Sequence, residues 1–240
     1  LAELANAPGG DPWLSPDGNT LVYSAKAPNN RSRLMVAERA GNAPFAVPME
    51  LPLTGWKGNE YRPSLSSDQK TLYFTRGGTI VTATRADTAA PFEGEQVLAL
   101  EPPDGATAVD VPRPAGGALY FTAYERSRRW GVYRRDRVAN TTSAVFPSAG
   151  RIGGMAITSD EKILYLAFDE GGQGWAVYRA ERSSREVPFP APTRVDELDM
   201  PNSSTQGFGI TGVSDDDCEV VGFVLSLDGE MSVYRATRGR

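Results

Sequence analysis

Ser15-Pro16-Asp17-Gly18-Asn19-Thr20-Leu21-Val22-Tyr23-Ser24-Ala25 and Ser66-Ser67-Asp68-Gln69-Lys70-Thr71-Leu72-Tyr73-Phe74-Thr75-Arg76 are two copies of one unit. Each is a polar turn followed by a strand whose apolar residues alternate, Leu21/Tyr23 in the first and Leu72/Phe74 in the second. The unit recurs from Arg113, from Thr158 and from Val213, with the pairs Leu119/Phe121, Leu164/Leu166 and Val221/Phe223. A second half follows each time: Leu34 to Arg39, Ile80 to Arg85, Val132 to Arg137, Val177 to Arg182 and Val233 to Arg238. All five copies end in arginine. The turn positions Asp17, Asp68, Ala115, Asp160 and Asp215 are spaced by 51, 47, 45 and 55 residues, the length of a four-stranded propeller blade.

This spacing predicts an all-β chain, one five-bladed β-propeller over residues 1–240 built from four-stranded antiparallel blades. The repeat units are about 9–53, 59–101, 108–147, 151–198 and 206–240 plus 1–5. After the arginine a Pro-Phe pair recurs (Pro44-Phe45, Pro91-Phe92, Pro188-Phe189, with Phe146 as a degenerate copy), leading into an apolar segment suited to an outer fourth strand. No such segment follows Arg238. Leu1 to Ala5 stands before Asp11-Pro12-Trp13 as Met49 to Leu53 stands before Arg62-Pro63-Ser64, so the expected ring closure is an N-terminal outer strand in the last blade. Closure removes exposed sheet edges.

Asn59-Glu60-Tyr61-Arg62-Pro63-Ser64-Leu65-Ser66-Ser67-Asp68, running into Lys70-Thr71-Leu72-Tyr73-Phe74, resembles the TolB-type, WD-like propeller repeat of bacterial envelope proteins, as does Ser15-Pro16-Asp17-Gly18. The match is strongest in repeats one and two; Ala115 replaces Asp in repeat three, and Glu219 breaks the apolar pattern in repeat five. The resemblance implies a binding or scaffolding module of the periplasm or cell surface, often beside further domains. It does not imply an enzyme.

Composition narrows the chemistry. With 240 residues, 25 Lys+Arg against 30 Asp+Glu and a net charge of −5, the chain lacks the basic footprint of a nucleic-acid binder. It contains no His and one Cys, which removes Ser-His-Asp and Cys-His mechanisms, an internal disulfide and cysteine-based zinc sites. No apolar run approaches the ~18 residues of a membrane span, so no membrane insertion is expected, and no cofactor is implied. The run Asp215-Asp216-Asp217, with Asp196, Glu197 and Asp199, offers oxygen ligands for a hard cation, but its spacing matches no calcium loop. No metal site is assigned.

In a propeller the first strand of each blade begins on the face that also carries the hairpin tips between strands two and three. The residues expected there are Asp11, Glu60, Arg62, Asp110, Arg151 and Gln206, together with Trp56, Trp130 and Trp175. Tryptophans grouped on one face form either a ligand platform or blade packing. Arg128 and Arg129 lie in a basic tip beside Trp130 and suit an anionic partner or a solvated hairpin. The opposite face carries the Asp turns and repeated arginines, read as architecture in which an Asp-Arg or Arg-carbonyl contact locks the blades.

Three functions follow: a non-catalytic propeller recognising a protein, peptide or glycan; an arabinanase-type glycosidase using Asp11, Glu60 and Asp110; and a spacer within a larger envelope protein. Glycoside hydrolysis needs two carboxylates ~5 to 9.5 Å apart.

Overall fold

The computed structural model describes residues 9–27, 31–41, 43–100, 106–125, 130–146, 151–169, 174–198, 205–228 and 231–237. They form five antiparallel sheets arranged as a five-bladed β-propeller. The first blade is β1 (Gly9–Leu14), β2 (Thr20–Lys26), β3 (Ser32–Glu38) and β4 (Met49–Glu50). The second is β5 (Tyr61–Leu65), β6 (Thr71–Arg76), β7 (Thr79–Thr84) and β8 (Glu93–Val97). The third comprises β9 (Ala108–Ala115), β10 (Ala118–Tyr124), β11 (Trp130–Asp136) and β12 (Thr142–Phe146). The fourth contains β13 (Arg151–Ile157), β14 (Ile163–Asp169), β15 (Trp175–Glu181) and β16 (Thr193–Arg194), and the fifth β17 (Thr205–Val213), β18 (Glu219–Ser226) and β19 (Met231–Thr237). The expected N-terminal outer strand, Leu1 to Ala5, lies outside the described residues, as does Arg238.

The core sits between blades. Each of the five apolar clusters joins two neighbours: Trp13, Val22 and Leu34 meet Leu65, Leu72 and Phe74 across the first junction, and Leu14, Leu21 and Tyr23 meet Val221 and Val233 across the last. The ring therefore closes through packing of β1 against β17, β18 and β19. Alternation explains the split: successive side chains of a strand face opposite neighbours, so each sheet is apolar on both faces.

The turn between the first two strands has one geometry in four blades. Ser15, Ser66, Thr158 and Ser214 hydroxyls donate to the carboxylate two residues on, Asp17, Asp68, Asp160 and Asp216, at 2.5, 2.6, 2.7 and 2.6 Å. That carboxylate then accepts the backbone N–H of Asn19, Lys70, Lys162 or Cys218 at 3.0 to 3.1 Å. The residue after the aspartate is left-handed in each: Gly18, Gln69, Glu161 and Asp217, with φ of 73°, 56°, 62° and 56°.

Two registers thus differ from the sequence reading. In the fifth blade Asp216, not Asp215, is the turn aspartate, 56 residues after Asp160; Asp215 instead accepts from Ser159 N–H at 2.7 Å. In the third blade Ala115 does not replace an aspartate. It pairs with Ala118 across a turn of only Gly116 and Gly117, so the segment that would carry the aspartate is missing.

The repeated arginines close the same turns. Arg39, Arg85 and Arg182 donate through Nε to the carbonyls of Gly18, Gln69 and Glu161 at 2.7, 2.8 and 2.6 Å, and Arg137 reaches Gly116 O through Nη2 at 2.9 Å. The Pro-Phe pair supplies the lid: Phe45, Phe92 and Phe189 lie 4.4, 4.4 and 4.2 Å from the guanidinium carbons of Arg39, Arg85 and Arg182.

Candidate functional site

At the other end of the blades the inner strands are irregular. Each carries a β-bulge, visible as a register shift between Gly10 and Trp13, Tyr61 and Ser64, Asp110 and Arg113, Ile152 and Gly154, and Ile210 and Gly212. In the first three blades the bulge sets a non-glycine residue at positive φ directly before a proline: Asp11 at 53°, Arg62 at 55° and Val111 at 49°. Such conformations cost of order 1–3 kcal/mol each and cluster where a chain must aim a side chain.

The bulges bring charged groups of three blades together. Arg62 Nε donates to Asp11 Oδ1 at 3.3 Å, and Arg62 Nη1 is in close contact with Asp110 Oδ2. Asp110 also accepts from Thr75 Oγ1 and from Val111 N–H, both at 2.9 Å. The Asp11 and Asp110 side chains are largely buried, whereas 29 % of the Arg62 side chain is exposed, which makes the guanidinium the accessible member of the cluster.

Glu60 is fully buried and belongs to an adjoining network. Its Oε1 takes Arg76 Nη2 at 2.7 Å and Lys57 N–H at 3.1 Å, and Arg76 passes on to Glu95 at 2.8 Å. The hydrogen bond to Arg76 holds the Glu95 carboxyl below its ordinary range, and the one to Glu95 raises the Arg76 guanidinium. Trp56 is half-buried beside this network, its ring N–H donating to Ser32 O at 3.1 Å, and Ser32 Oγ donates to Glu60 O at 2.7 Å. One polar chain therefore runs from the first hairpin, through the Trp56 loop, into the second blade.

The remaining expected residues are dispersed. Trp130 is half-buried and tilts on Tyr124, ring centroids 5.3 Å apart. Trp175 is only 6 % exposed and packs with Phe208 and Ile210 between blades four and five, with Arg151 5.6 Å over its ring. Trp56, Trp130 and Trp175 thus have separate partners. Gln206 ties the fifth hairpin by donating to Leu227 O at 2.9 Å, and Arg128 and Arg129 lie outside the described residues. Asp217, within the acidic run, is taken by Arg179 at 2.8 Å.

Sequence reasoning missed Thr75, Arg76 and Glu95, which lie on ordinary-looking strands, and it misplaced Arg113. The proline ladder Pro12, Pro63, Pro112 gives the correct register, in which Arg113 stands where Trp13 and Ser64 stand. Surface clefts also open between blades at the turn end, one lined by Arg134, Arg182 and Phe189. Arg134 in its wall is already paired with Glu161 of the neighbouring blade, so the end of the blades that carries the Arg62 cluster is the better candidate.

No protein-family model matches the chain, and no curated protein sequence does. Among solved structures it is similar to a putative TolB from Agrobacterium tumefaciens (TM-score 0.56, 11 % identity, 97 % of this chain and 91 % of that one). It is similar to TolB from Acinetobacter baumannii (TM-score 0.51, 18 % identity, 97 % of this chain), spanning 55 % of that chain's length. The catalytic domain of a GH62 α-L-arabinofuranosidase from Coprinopsis cinerea aligns equally well (TM-score 0.59, 8 % identity, 96 % and 90 % covered). At these identities the likeness defines the class, a β-propeller with TolB-like and glycosidase neighbours, and shows the fold alone.

Proposed function

We propose that the chain is a non-catalytic binding propeller of the bacterial cell envelope, recognising a protein, peptide or glycan at the mouth formed by Asp11, Arg62 and Asp110, with Trp56 and Trp130 at its border and Arg128 and Arg129, which precede Trp130 in sequence, as further contacts. The observation that carries this reading is Arg62: a part-exposed guanidinium held by two carboxylates on a strained backbone. A guanidinium fixed in this way presents its free edge without further loss of side-chain freedom. Glu60 and Trp175 are left out of the surface because both side chains are buried. The TolB-like neighbours support the envelope location.

The test is capture of partners from an envelope extract by chemical cross-linking, together with a glycan array. A ligand so identified should bind at least about tenfold more weakly to Arg62→Ala, the loss of one anchor, and equally well to Arg185→Ala at the turn end. Binding that survives the first change and fails with the second would place the surface at the wrong end.

The glycosidase reading draws on one observation, that Asp11 and Asp110 face each other across a single guanidinium. Against it, Arg62 occupies both, and Glu60 is sealed from solvent by Arg76. Release of arabinose from arabino-oligosaccharides, abolished by Asp110→Asn, would replace the binding reading with this one.

A further inference from the structure

Four of the five junctions between blades share a feature that the fifth lacks. At those four, the segment after the third strand lays apolar residues over the seam: Leu51 and Leu53 at the first, Leu98 and Leu100 at the second, Val145 and Phe146 at the third, Val195 and Leu198 at the fourth. Three of these segments dock through one kind of bond, the N–H of Leu51, Leu98 and Val195 donating at 2.8 Å to the carbonyls of Leu34, Ile80 and Val177. In the third blade Phe146 stands opposite Val132. The seam between blades five and one is made of Leu14, Leu21, Tyr23, Val221 and Val233, margined by Ala25, Met35 and Phe45, and among the described residues no outer segment of blade five covers it.

Val233 is the repeat counterpart of Leu34, Ile80, Val132 and Val177, each five residues before the terminal arginine of its unit. In an antiparallel ladder the N–H and C=O of one residue point to the same neighbour, so Val233 presents both at the outer edge of β19, the last strand of a three-stranded sheet. The chain enters β1 beside the start of that strand, since a Cβ on Gly10 would overlap the Met231 side chain. Four residues, 147–150, carry the chain from the outer strand of blade three to β13, and four residues, 5–8, separate Leu4 from Gly9. Ala2-Glu3-Leu4 then falls where Met49-Glu50-Leu51 falls in blade one, two exposed positions and a buried one.

We propose that the outer edge of β19 is a strand-binding slot whose occupant is the chain's own segment Leu1 to Leu4, with Leu4 N–H on the Val233 carbonyl and the Leu4 side chain completing the seam between blades five and one. An apolar edge of this kind pairs with other chains when it is left open, so self-occupation also protects the propeller from edge-to-edge association. The slot is independent of the partner-binding surface proposed for the mouth.

Hydrogen exchange on the full chain reads the slot directly: the Val233 amide should be protected like the interior amides of β18. Leu4→Asp should remove that protection and lower the melting midpoint by about 5 °C or more, the effect of losing a buried leucine in a chain of this size. Ala2→Asp, at an outward position, should leave both unchanged. A synthetic peptide of residues 1–8 added to the Leu4→Asp chain should restore the midpoint in a saturable way. Should Leu4→Asp fail to fold, Leu4→Ala takes its place in the same comparison. A Val233 amide that exchanges as fast as an exposed loop amide, or a Leu4 variant that melts with Ala2→Asp, would overturn the proposal. So would a concentration-dependent dimer that Leu4→Asp dissolves, because the strand would then come from a second copy.

Discussion

Replacing Glu161 by alanine removes the carboxylate on which three side chains converge at the turn end. The Glu161 side chain is 1 % exposed and sits at φ 62°. Its Oε2 accepts from Arg134 Nε at 2.8 Å, from Tyr120 Oη at 2.9 Å and from Arg182 Nη2 at 3.5 Å. Arg134 and Tyr120 belong to blade three and Glu161 to blade four, so the cluster is an interblade tie. In Glu161→Ala the Arg182 side chain, 5 % exposed, keeps its charge and loses the one carboxylate that pairs with it among the described residues. Removing one partner of a buried ion pair costs about 3–5 kcal/mol. In a chain of this size that lowers the melting midpoint by about 10 °C, at roughly 2–4 °C per kcal/mol. The comparison is Asp68→Ala, an exposed turn carboxylate held by Ser66 and Lys70, which should cost about 1 kcal/mol, an ordinary hydrogen-bond loss. Differential scanning calorimetry of the two variants decides the matter. If Glu161→Ala melts within about 2 °C of the parent, under 1 kcal/mol on the same scale, the tie does not hold the blades and the reasoning fails.

Glu219→Leu restores the apolar pattern that the fifth repeat breaks, yet it should destabilise by about 3 kcal/mol, the cost of stranding a buried partner. Arg39 and Arg235 pair with this carboxylate at 2.8 and 3.0 Å; urea unfolding with an unchanged midpoint would contradict that expectation. A third prediction concerns alkaline pH. Burial pushes the Tyr23 hydroxyl up to about 12 from 10.0, so its contribution is complete below the unfolded value and is lost as pH rises through about 12. Tyr23→Phe should therefore retain more of its melting midpoint than the parent between pH 10 and 12, and coincident profiles would count against it.

The fold was legible because its signals are local. Strand alternation, the Ser-x-Asp turn and the terminal arginine each need fewer than a dozen contiguous residues, and five copies reinforce one another. The misplaced registers have the opposite cause. In Ser214-Asp215-Asp216-Asp217 three identical side chains compete for one turn position, and only the left-handed φ of Asp217 decides between them. In the third repeat the apparent equivalence of Ala115 conceals a shortened turn, which a fixed spacing from Leu119 cannot detect. Of the residues singled out in the sequence, Asp11, Arg62 and Asp110 meet in one cluster, and their pairing was not legible. Asp11 and Arg62 are 51 residues apart, and their pairing depends on bulges whose positive-φ residues are not glycines. Trp175 was placed at the correct end of its strand, but the phase of that strand turns it into the core.

Glu219 shows how far repeat logic extends once the geometry is known. At two consecutive junctions the left-handed turn residue is acidic and reaches back to the preceding blade: Glu161 to Tyr120 and Arg134, Asp217 to Tyr165 and Arg179. Arg134, Arg179 and Arg235 occupy one repeat position, so Arg235 should meet an acidic residue in the next blade around the ring, which is blade one. That blade has Gly18 there, with no side chain to offer. The carboxylate comes instead from Glu219 in blade five, which binds Arg235 on its own sheet and Arg39 across the junction. At Gly18, with φ 73°, any side chain would be strained, and a Cβ would lie 3.1 Å from Arg39 Nη2, so that the guanidinium would have to give way. The acidic residue that breaks the apolar pattern of β18 thus supplies Arg235 with the carboxylate that glycine cannot offer in the first blade.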